Sequence, residues 1–445
     1  MTNSVKQDIL PLNKYKIFEA GFLPIGVNFM RRVVITGLGA ITPLGNSVDA
    51  FWAGIKAGKS GIGPITQFDA SINKVHYAAE VKDFNPADYM DSKDARKMAR
   101  FTQFGVAAAK QCLEDAGLMG NSEVLDETGI ILGVGIGGLE VTESSVLSMA
   151  KMGFTKTNPM AIPELIPNEV GGNIAINFGL HGPVQSIATA CSSGSDALGV
   201  ALDMVRSGRL DTCLTGGAEA TICQFGVVSF EVLHALSTGF DDDPTKASRP
   251  FDKNRNGFVM GEGAGMLMFE EYEHAKARGA KIYAEVAGYG GSCDGFHLTA
   301  PNPDGIFGSK CMTRALKDAN MDPSEIQYYN AHGTSTHKND SAETAMIKIA
   351  FGEENARKLK ISSTKSMHGH CLGATGAIEG IVCVKAIQDS YYPMTKNLDE
   401  QDIEGGCDLD YCANKGVEGN IDAAMSCTFG FGGHNGCVIF KKVKD

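Results

Sequence analysis

The chain of 445 residues has no long hydrophobic run, no C-x-x-C cysteine pair and no excess of positive charge. No window approaches the roughly 18 consecutive apolar residues of a membrane span. Residues 1–30 contain neither a signal-peptide pattern nor an arginine that would suggest a transit peptide. We therefore predict a cytoplasmic protein that does not enter a membrane.

The cysteine content and the net charge limit the redox state of the thiols and the class of partner that the protein can bind. The 12 cysteines, in a chain this long without an export signal, favour reduced thiols in a buried core over a disulfide framework. The net charge of −12 argues against nucleic-acid binding, which needs a basic field. Any acidic partner must dock on a local basic patch.

The hydrophobic content of 43% is enough for a large core in two fused halves. Regular strand patterning begins abruptly at "RRVVITGLGAITPLG", so residues 1–30 are predicted to be an N-terminal extension. That extension is either a disordered tail or the product of a start read upstream of Met30. We place the halves at 31–280 and 281–445, because the charged helix "EEYEHAKARGAKIYAEV" precedes a new run of strands.

Short β-branched runs alternate with glycine-punctuated helical patterns along both halves, which predicts an α/β fold. In the first half the strand "GPVQSIAT" turns through Ala190-Cys191-Ser192 into a helix. In the second half the strand "LKISST" turns through "KSMHGHCLGATG" into the helix "AIEGIVCVKAIQ". This shared plan suggests a duplicated unit, although strand-turn-helix is common in α/β proteins.

Cys191 sits in the first of these turns. A helix that begins at Ser192 would aim its N–H groups and positive dipole end at the sulfur, which predicts a lowered thiol pKa. The Cys191 N–H could also point toward a developing oxyanion. The alternative is a buried cysteine without a chemical role.

Histidines in two glycine-bearing loops favour the chemical role. "NAHGTSTHKND" and "STKSMHGHCLGATGAIEG" each place imidazoles after a β-branched or aromatic run, and acyl chemistry on a thiol needs imidazoles to donate hydrogen bonds and handle protons. A metal cluster competes with this interpretation, but the spacings match no common zinc signature and Lys365 would repel a cation. The residues that such a cluster would use are His332, His337, Asp340, His368 and His370. We predict no metal.

Glycines at 133, 135 and 138 satisfy G-x-G-x-x-G after a strand, which would suit a dinucleotide. No acidic residue stands about 20 residues further on, where "TKTNP" lies, so a ribose contact is missing. We interpret these glycines as points where the backbone passes close to another element.

A series of motifs, in order from about Arg31 to the C-terminus, resembles the β-ketoacyl-ACP synthases of the thiolase-like superfamily, and among them the elongating synthase II group. The motifs are "VVITGLGAITPLG", "GIGG", "TACSSG", "ASRPFDKNRNGFVMGEGAG", "NAHGTSTHKND", "STKSMHGH" and "TFGFGGHN". The resemblance implies a five-layer α/β/α/β/α fold of two thiolase-like halves and a homodimer. It implies decarboxylative condensation of acyl-ACP with malonyl-ACP in fatty acid elongation, without a cofactor beyond the phosphopantetheine arm of the acyl carrier protein.

The resemblance also assigns catalytic roles by motif. Cys191 would accept the acyl chain, and His332 and His370 would complete the triad and stabilise the enolate formed when malonyl-ACP loses CO₂. The N–H groups of Cys191 and Phe431 would form the oxyanion hole. Lys365 would order the histidines.

Further residues take supporting roles by the same resemblance. Asp340 and Glu379 would support Lys365, or else belong to an ordinary buried ion-pair network. Thr334 and Thr336 would bind the phosphopantetheine arm, or else act as local caps. Phe431 would be a gate over the acyl pocket, or else a core residue.

The acyl pocket and the docking surface complete the assignment. Ile136 and Ala161 would shape the pocket, with Ala161 standing where the family often has an aromatic residue. The basic side chains of "SKDARKMAR" fall at helix-compatible spacing and would dock the acyl carrier protein: Lys93, Arg96, Lys97 and Arg100. Ordinary core residues and a solvated basic helix are the alternatives.

Three positions depart from the usual pattern, namely His368, Cys371 and His434, and they bear on substrate preference rather than on the triad. A thiolase is disfavoured because "TFGFGGHNG" occupies the region of its second catalytic cysteine. A chain-length factor would lack the cysteine at 191. A polyketide ketosynthase is the alternative function that stays open.

Overall fold

A computed structural model gives the structure of residues 30–444. Apart from Met30, the predicted N-terminal extension lies outside the described residues. The described residues from Arg31 onward form one compact unit. No helix of the described part is long and apolar enough to cross a membrane.

Fourteen strands are described, most of them short. They are β1 (Val33–Ile41), β2 (Gly63–Pro64), β3 (Tyr77–Ala78), β4 (Gly129–Gly133), β5 (Val184–Ile187), β6 (Thr212–Glu219), β7 (Gly263–Glu271), β8 (Ala284–Cys293), β9 (Tyr328–Asn330), β10 (Lys360–Ser362), β11 (Tyr391–Tyr392), β12 (Val417–Glu418), β13 (Ala423–Gly430) and β14 (His434–Lys441).

Helices separate most of these strands. They are α1 (Val48–Lys56), α2 (Ser92–Ala95), α3 (Arg100–Asp115), α4 (Ser122–Leu125), α5 (Leu139–Met152), α6 (Ala161–Leu165), α7 (Glu169–Phe178), α8 (Ser193–Arg206), α9 (Gln224–Val232), α10 (Tyr272–Ala277), α11 (Ser309–Asp318), α12 (His337–Phe351), α13 (Glu353–Ala356), α14 (Lys365–His368) and α15 (Thr375–Asp389). Short 3₁₀ turns at Ala190–Ser192 and Leu372–Ala374 lead into α8 and α15.

Ten strands form one mixed sheet in the order β10-β9-β13-β14-β8-β1-β7-β6-β4-β5. Read outward from the centre, β1-β7-β6-β4-β5 and β8-β14-β13-β9-β10 follow the same plan. Each run has two antiparallel pairings followed by two parallel ones. The halves join where β1 pairs with β8 at Val34↔Glu285 and Ile35↔Ala284. The predicted duplication is confirmed.

Helices α8 and α15 pack against each other and each contacts strands of both halves, so they form a central layer. Helix α3 covers β1, β6 and β7 from outside, and α11 covers β8 and β14. Each five-stranded run of the sheet forms one layer, and the central helices lie between the two runs. The five layers are therefore helix, sheet, central helix pair, sheet and helix, which confirms the predicted fold class. The buried apolar face of α8 explains its place, because Ala197, Leu198, Ala201 and Leu202 recur at helical spacing.

The cysteines agree with the prediction except for one pair. Cys427 on β13 and Cys437 on β14 face each other across the antiparallel ladder and are joined by a disulfide. The prediction of reduced thiols is wrong for these two, because the strand register that places them opposite each other cannot be read from their spacing. The other ten cysteines are free thiols, and nine of them are buried.

Candidate active site

Cys191 lies in a sharp turn between β5 and α8. Ala190 before it has a left-handed backbone with φ of 53°, and the 3₁₀ turn that follows runs directly into α8. Gly430 lets the β13–β14 hairpin approach, since a Cβ there would lie 2.7 Å from the Thr189 carbonyl oxygen and 3.2 Å from the Cys191 nitrogen. The turn therefore presents the thiol at the helix N-terminus, beside the hairpin tip.

A carboxylate that the sequence did not single out holds this turn. Asp196, in the first turn of α8, accepts hydrogen bonds from the hydroxyls of Thr189 at 2.6 Å, Tyr289 at 2.7 Å and Ser192 at 3.2 Å. Thr189 and Ser192 flank the cysteine on both sides. The spacing of Asp196, five residues after Cys191 and in the first turn of the helix that follows it, was the available sequence signal.

One histidine contacts the thiol, and a second packs against that histidine. The Nε2 atom of His370 lies 3.1 Å from Cys191 Sγ, and its Nδ1 atom lies 3.0 Å from Thr375 Oγ1. The rings of His332 and His370 meet edge to face with centroids 5.2 Å apart. His332 follows β9 and His370 follows β10, so the carboxyl ends of adjacent parallel strands bring them together. The three residues predicted as a triad are adjacent.

Burial keeps both imidazoles neutral. It lowers the pKa of His332 and of His370 well below 6.5, and the nearby Lys365 ammonium lowers them further. Burial raises the pKa of the Cys191 thiol to about 12, although Lys365 and the N–H groups of Phe431 and Cys191 act in the opposite direction. The expected lowering of the thiol pKa is wrong, because the loss of water around the sulfur outweighs the helix N-terminus.

Lys365 is buried beside the histidines. Its Nζ atom donates to Glu379 Oε1 at 2.6 Å and to the Ala331 carbonyl at 3.4 Å. Burial raises the pKa of the Glu379 carboxyl to about 7, against the lowering effect of the Lys365 ammonium. The structure brings Glu379 to Lys365 as the sequence predicted.

Asp340 has different partners from those expected. Its Oδ2 atom accepts from the Phe251 N–H at 2.9 Å and lies 3.5 Å from Arg255 Nε. It thus belongs to a buried ion-pair network at the start of α12. The carboxylate that reaches the histidine loop is Glu343, which accepts from the His332 N–H at 2.8 Å and the Gly333 N–H at 2.7 Å. Glu343 lies one helical turn after Asp340 on α12, and this spacing was the sequence signal that could have identified Glu343.

The active residues open onto a cavity of about 310 Å³. Its lining includes the three triad residues, both predicted phosphopantetheine contacts and the predicted gate: Cys191, His332, Thr334, Thr336, His370 and Phe431. The hydroxyls of Thr334 and Thr336 lie 3.0 Å apart, and Thr336 also caps α12. Gly432 and Gly433, with φ of 85° and 80°, follow Phe431 in the hairpin tip.

The two predicted acyl-pocket residues are not among those that line this cavity. Ile136 lies in the loop after β4 and is 38% exposed, whereas Ala161 is the buried first residue of α6. Gly135 lets this loop pack against the turn that carries Cys191, because a Cβ at position 135 would lie 3.3 Å from the Ala190 carbonyl oxygen. The structure therefore brings the loop, but not the Ile136 side chain, next to the turn that carries Cys191.

The four basic residues do not form one helical face. Helix α2 ends at Ala95 and α3 begins at Arg100, so a break separates them. Lys97 pairs with Asp94 at 3.0 Å, and Arg100 is held by the fully buried Glu262 at 2.6 Å. Lys93 and Arg96 are exposed. Only part of the predicted basic patch is therefore open to a partner.

The next observations concern the metal cluster and the dinucleotide motif that the sequence also suggested. The described residues contain no group of three or more histidine, cysteine or acidic side chains placed to hold a metal ion. His368 is buried against Thr364 Oγ1 at 3.0 Å, whereas His337 is exposed. At Gly133 a Cβ would lie 2.3 Å from the backbone of Ser193, so this glycine lets α8 approach β4.

Comparison with known proteins shows which family the chain matches. Family models match residues 30–275 as "Beta-ketoacyl synthase, N-terminal domain" and residues 283–399 as "Beta-ketoacyl synthase, C-terminal domain". Two relatives are named 3-oxoacyl-[acyl-carrier-protein] synthase 2. The protein from Synechocystis sp. is 47% identical over 93% of this chain and 98% of its own length, and that from Vibrio harveyi is 45% identical over 93% and 99%.

A solved structure shares the fold. It is a type II polyketide synthase acyl carrier protein in complex with its ketosynthase bound to the hexaketide, with 34% identity and a TM-score of 0.84. The match covers 93% of this chain and 100% of the other.

Proposed function

This chain belongs to the β-ketoacyl synthase family, and we propose that it is a 3-oxoacyl-ACP synthase of type 2 that elongates fatty acyl chains. It would condense acyl-ACP with malonyl-ACP to give 3-oxoacyl-ACP and CO₂. The observation that carries the proposal is the 3.1 Å contact between Cys191 Sγ and His370 Nε2, with His332 against the same imidazole. The names of the relatives supply the substrate class.

The first half-reaction moves the acyl group to the enzyme. The neutral Cys191 thiol gives its proton to His370 Nε2, and the sulfur attacks the thioester carbonyl of acyl-ACP. The N–H groups of Cys191 and Phe431 lower the pKa of the Cys191 thiol, and this effect next to the sulfur supports their proposed role as the oxyanion hole of the tetrahedral intermediate. Collapse of that intermediate releases the carrier thiolate, which takes the proton from His370.

The second half-reaction forms the carbon bond. Malonyl-ACP loses CO₂ and becomes an enolate, whose oxygen the neutral imidazoles of His332 and His370 stabilise as hydrogen-bond donors. His370 does so after its proton has moved from Nδ1 to Nε2. The enolate carbon attacks the acyl-cysteine, the carbon–sulfur bond breaks, and Cys191 leaves as a thiolate that is reprotonated. Neutral imidazoles suit this step because their pKa values lie far below the physiological range.

Lys365 and Glu379 support the site from behind. Their 2.6 Å ion pair keeps an ammonium near both imidazoles without placing it in the cavity lining. A positive charge there disfavours imidazolium, so His370 readily passes the thiol proton on to the carrier thiolate and both histidines are neutral donors in the second half-reaction. Thr334 and Thr336 line the same cavity and would hold the phosphopantetheine arm. Phe431, next to flexible glycines, would gate the acyl chain.

The acyl carrier protein would be the partner, and the reaction would need no further cofactor, because the phosphopantetheine arm carries both substrates. A similar ketosynthase fold in complex with its acyl carrier protein supports this partner. Lys93, Arg96 and Lys97 are the exposed cations of the predicted docking patch. A reducing compartment such as the cytoplasm suits the free thiols, which include the nucleophile.

A homodimer is the proposed assembly. Strand β5 is an edge of the ten-stranded sheet, with exposed or half-buried residues along its length. Apolar side chains near this edge and on α5, α6 and α7 are exposed: Val146, Leu147, Ile162, Ile176 and Val184. An unpaired edge strand beside exposed apolar residues is typical of an interface with a second copy.

The test is Cys191→Ala with saturated acyl-ACP primers of several lengths and malonyl-ACP. We expect condensation to be lost, while malonyl-ACP decarboxylation and the fold persist, because both histidines remain. Elongation by pure Cys191→Ala protein would overturn the assignment. Wild-type protein that fails with all saturated primers would point instead to the polyketide ketosynthase alternative.

A further inference from the structure

The cavity over Cys191 changes character along its length. Part of its lining is buried and carries the catalytic side chains, whereas another part is exposed and carries His234, His337 and Lys338. The buried end is where a thioester would react, so the exposed end is the mouth through which a carrier arm would enter. A charged group at the outer end of that arm would meet these three side chains.

One short segment of the chain runs from the reacting centre to the mouth. Every second residue of the segment 332–338 lines the cavity, and the exposure of these residues rises in order. His332 is 3% exposed and Thr334 6%, whereas Thr336 is half-buried and Lys338 is exposed. The two threonines offer hydroxyls that suit the amides of a pantetheine arm. The segment therefore places an ammonium further out than these hydroxyls.

Lys338 is a cation without a counter-ion. Within residues 30–444 it forms no ion pair with a carboxylate. Asp294 is the one acid among the described residues that line the cavity, and it is buried. Its two oxygens accept from Asn435 Nδ2 and from the Asn302 N–H, each at 2.8 Å. The mouth therefore carries an unbalanced positive charge, although the whole chain has a net charge of −12.

The phosphopantetheine arm has one anionic group, the phosphate at the end remote from its thiol. When the thioester lies at Cys191 and the amides lie beside the threonines, the phosphate is the outermost part of the arm. An ammonium is a point-charge partner for a phosphate oxygen, and the imidazoles of His234 and His337 add ring N–H donors. The order of side chains along the cavity thus matches the order of groups along the arm, which is thiol, amides and phosphate.

We propose that Lys338 is a specificity-determining residue that binds the phosphate of the carrier arm at the mouth of the cavity. It thereby favours thioesters that carry this phosphate over thioesters that lack it. This inference rests on the proposed function, since it needs an acyl thioester that reacts with Cys191. It is separate from docking on the basic patch around Arg96, which would contact the carrier protein rather than its arm.

Two small substrates isolate the phosphate. Acyl-pantetheine and acyl-phosphopantetheine share the thioester and both amides, and they differ only in the terminal phosphate. The measurement is the second-order rate constant for acylation of Cys191, followed by mass spectrometry of the intact protein at low salt. We expect wild-type protein to favour the phosphorylated thioester. In Lys338→Met the ratio of the two rate constants should fall about two- to fivefold, which is the contribution of one exposed ion pair.

Further variants separate charge from shape. Lys338→Arg keeps the charge and should keep a ratio above that of Lys338→Met, whereas Lys338→Glu should lower the ratio below it. Added salt should reduce the wild-type ratio, because salt screens an exposed pair. The matched control is Lys415→Met, since Lys415 is exposed and does not line the cavity. Its ratio should equal that of wild type.

A wild-type ratio of one, or equal ratios in wild type and Lys338→Met, would overturn the proposal. Acyl-ACP and acyl-CoA identify the source of the phosphate, because acyl-CoA carries additional nucleotide phosphates. A loss of rate in Lys338→Met with acyl-CoA alone would overturn the role in binding the carrier arm. Failure of the proposed function would show differently, as wild-type protein whose Cys191 is acylated by none of the four thioesters.

Discussion

At the residue scale, the reaction starts from a thiol that is neutral at rest. The Cys191 thiol, with its pKa raised by burial, needs a neutral base in contact, and His370 Nε2 at 3.1 Å supplies it. The same burial keeps the His370 imidazole neutral, so one of its ring nitrogens can accept a proton. Reactivity therefore depends on the short contact between sulfur and imidazole rather than on a standing thiolate.

The acyl pocket gives a prediction at the same scale. Ala161→Phe and Ile136→Phe should each shift kcat/KM toward shorter primers, because a phenyl ring fills space worth several methylenes, each about 0.8 kcal/mol when buried. The measurement is kcat/KM across a primer series from short to long. Ile174→Phe on α7 is the control for added volume, because Ile174 is buried and does not line the cavity. A profile unchanged in both variants would exclude these positions from the pocket.

At the element scale, the break between α2 and α3 changes the docking patch. Lys93 and Arg96 are exposed, Lys97 is exposed but paired with Asp94 on the surface, and Arg100 is held by the buried Glu262. Lys93→Glu with Arg96→Glu should raise KM for acyl-ACP about tenfold or more at low salt, and leave small thioesters nearly unaffected.

The matched control reverses two exposed lysines elsewhere, Lys59 and Lys415, for the same change in net charge. We expect little change in KM for acyl-ACP in that control. An equal rise in both double variants would place docking elsewhere. Reversal of Arg100 is not a docking test, because it would leave Glu262 buried without its cation.

The edge strand β5 gives a second prediction at the element scale. Val184→Asp places a charge on the exposed edge and should shift the protein from dimer to monomer, measured by sedimentation at several concentrations. The control is Val417→Asp on β12, which is equally exposed at 39% but lies in a separate two-stranded sheet. A wild-type monomer, or a Val184→Asp dimer, would contradict the proposed interface.

At the scale of the whole molecule, buried imidazoles and carboxyls govern stability against pH. Six of them have large pKa shifts: His332, His368, His370, Glu219, Glu343 and Glu379. Burial lowers the pKa of each histidine, which reaches about 3 at His368. Burial raises the pKa of each of these glutamates to about 7.

The two groups act in opposite directions. Between about pH 4.5 and 6.5 the unfolded chain binds protons at the histidines and the folded chain at the glutamates, so the effects nearly cancel. Below about pH 4.5 the glutamates are protonated in both states, and each histidine costs about 1.4 kcal/mol per pH unit. We predict a nearly flat free energy of unfolding from pH 5 to 6.5 and a steep fall below pH about 4.5.

Urea unfolding across this range measures the profile. His368→Gln, which leaves the triad intact, should make the slope below about pH 4.5 shallower by about 1.4 kcal/mol per pH unit. A slope identical to that of wild type would show that His368 does not contribute. A steady decline beginning at pH 6.5 would show that the glutamates do not offset the histidines.

The sequence by itself determined the α/β class and the duplication, because a β-branched run, a tight turn and a small-residue helix are neighbours in the chain around Cys191 and again around His370. Residue patterns offered Cys191 and the loop histidines as candidates, and the resemblance to a known family selected His332 and His370 as the partners of Cys191. Equivalent turns in duplicated halves meet at the centre of the fold, which brings the Cys191 turn next to the His370 loop.

Only the tertiary structure decided the environment of these residues. The raised thiol pKa, the pairing of Asp340 with Arg255 and the role of Glu343 depend on which groups lose water and which side chains meet across the fold. The same holds for Glu219, which accepts hydrogen bonds from four backbone N–H groups that lie 82 to 154 residues away along the chain. Desolvation and long-range contacts have no local signature, because the interacting groups are separated along the chain and meet only after the layers pack.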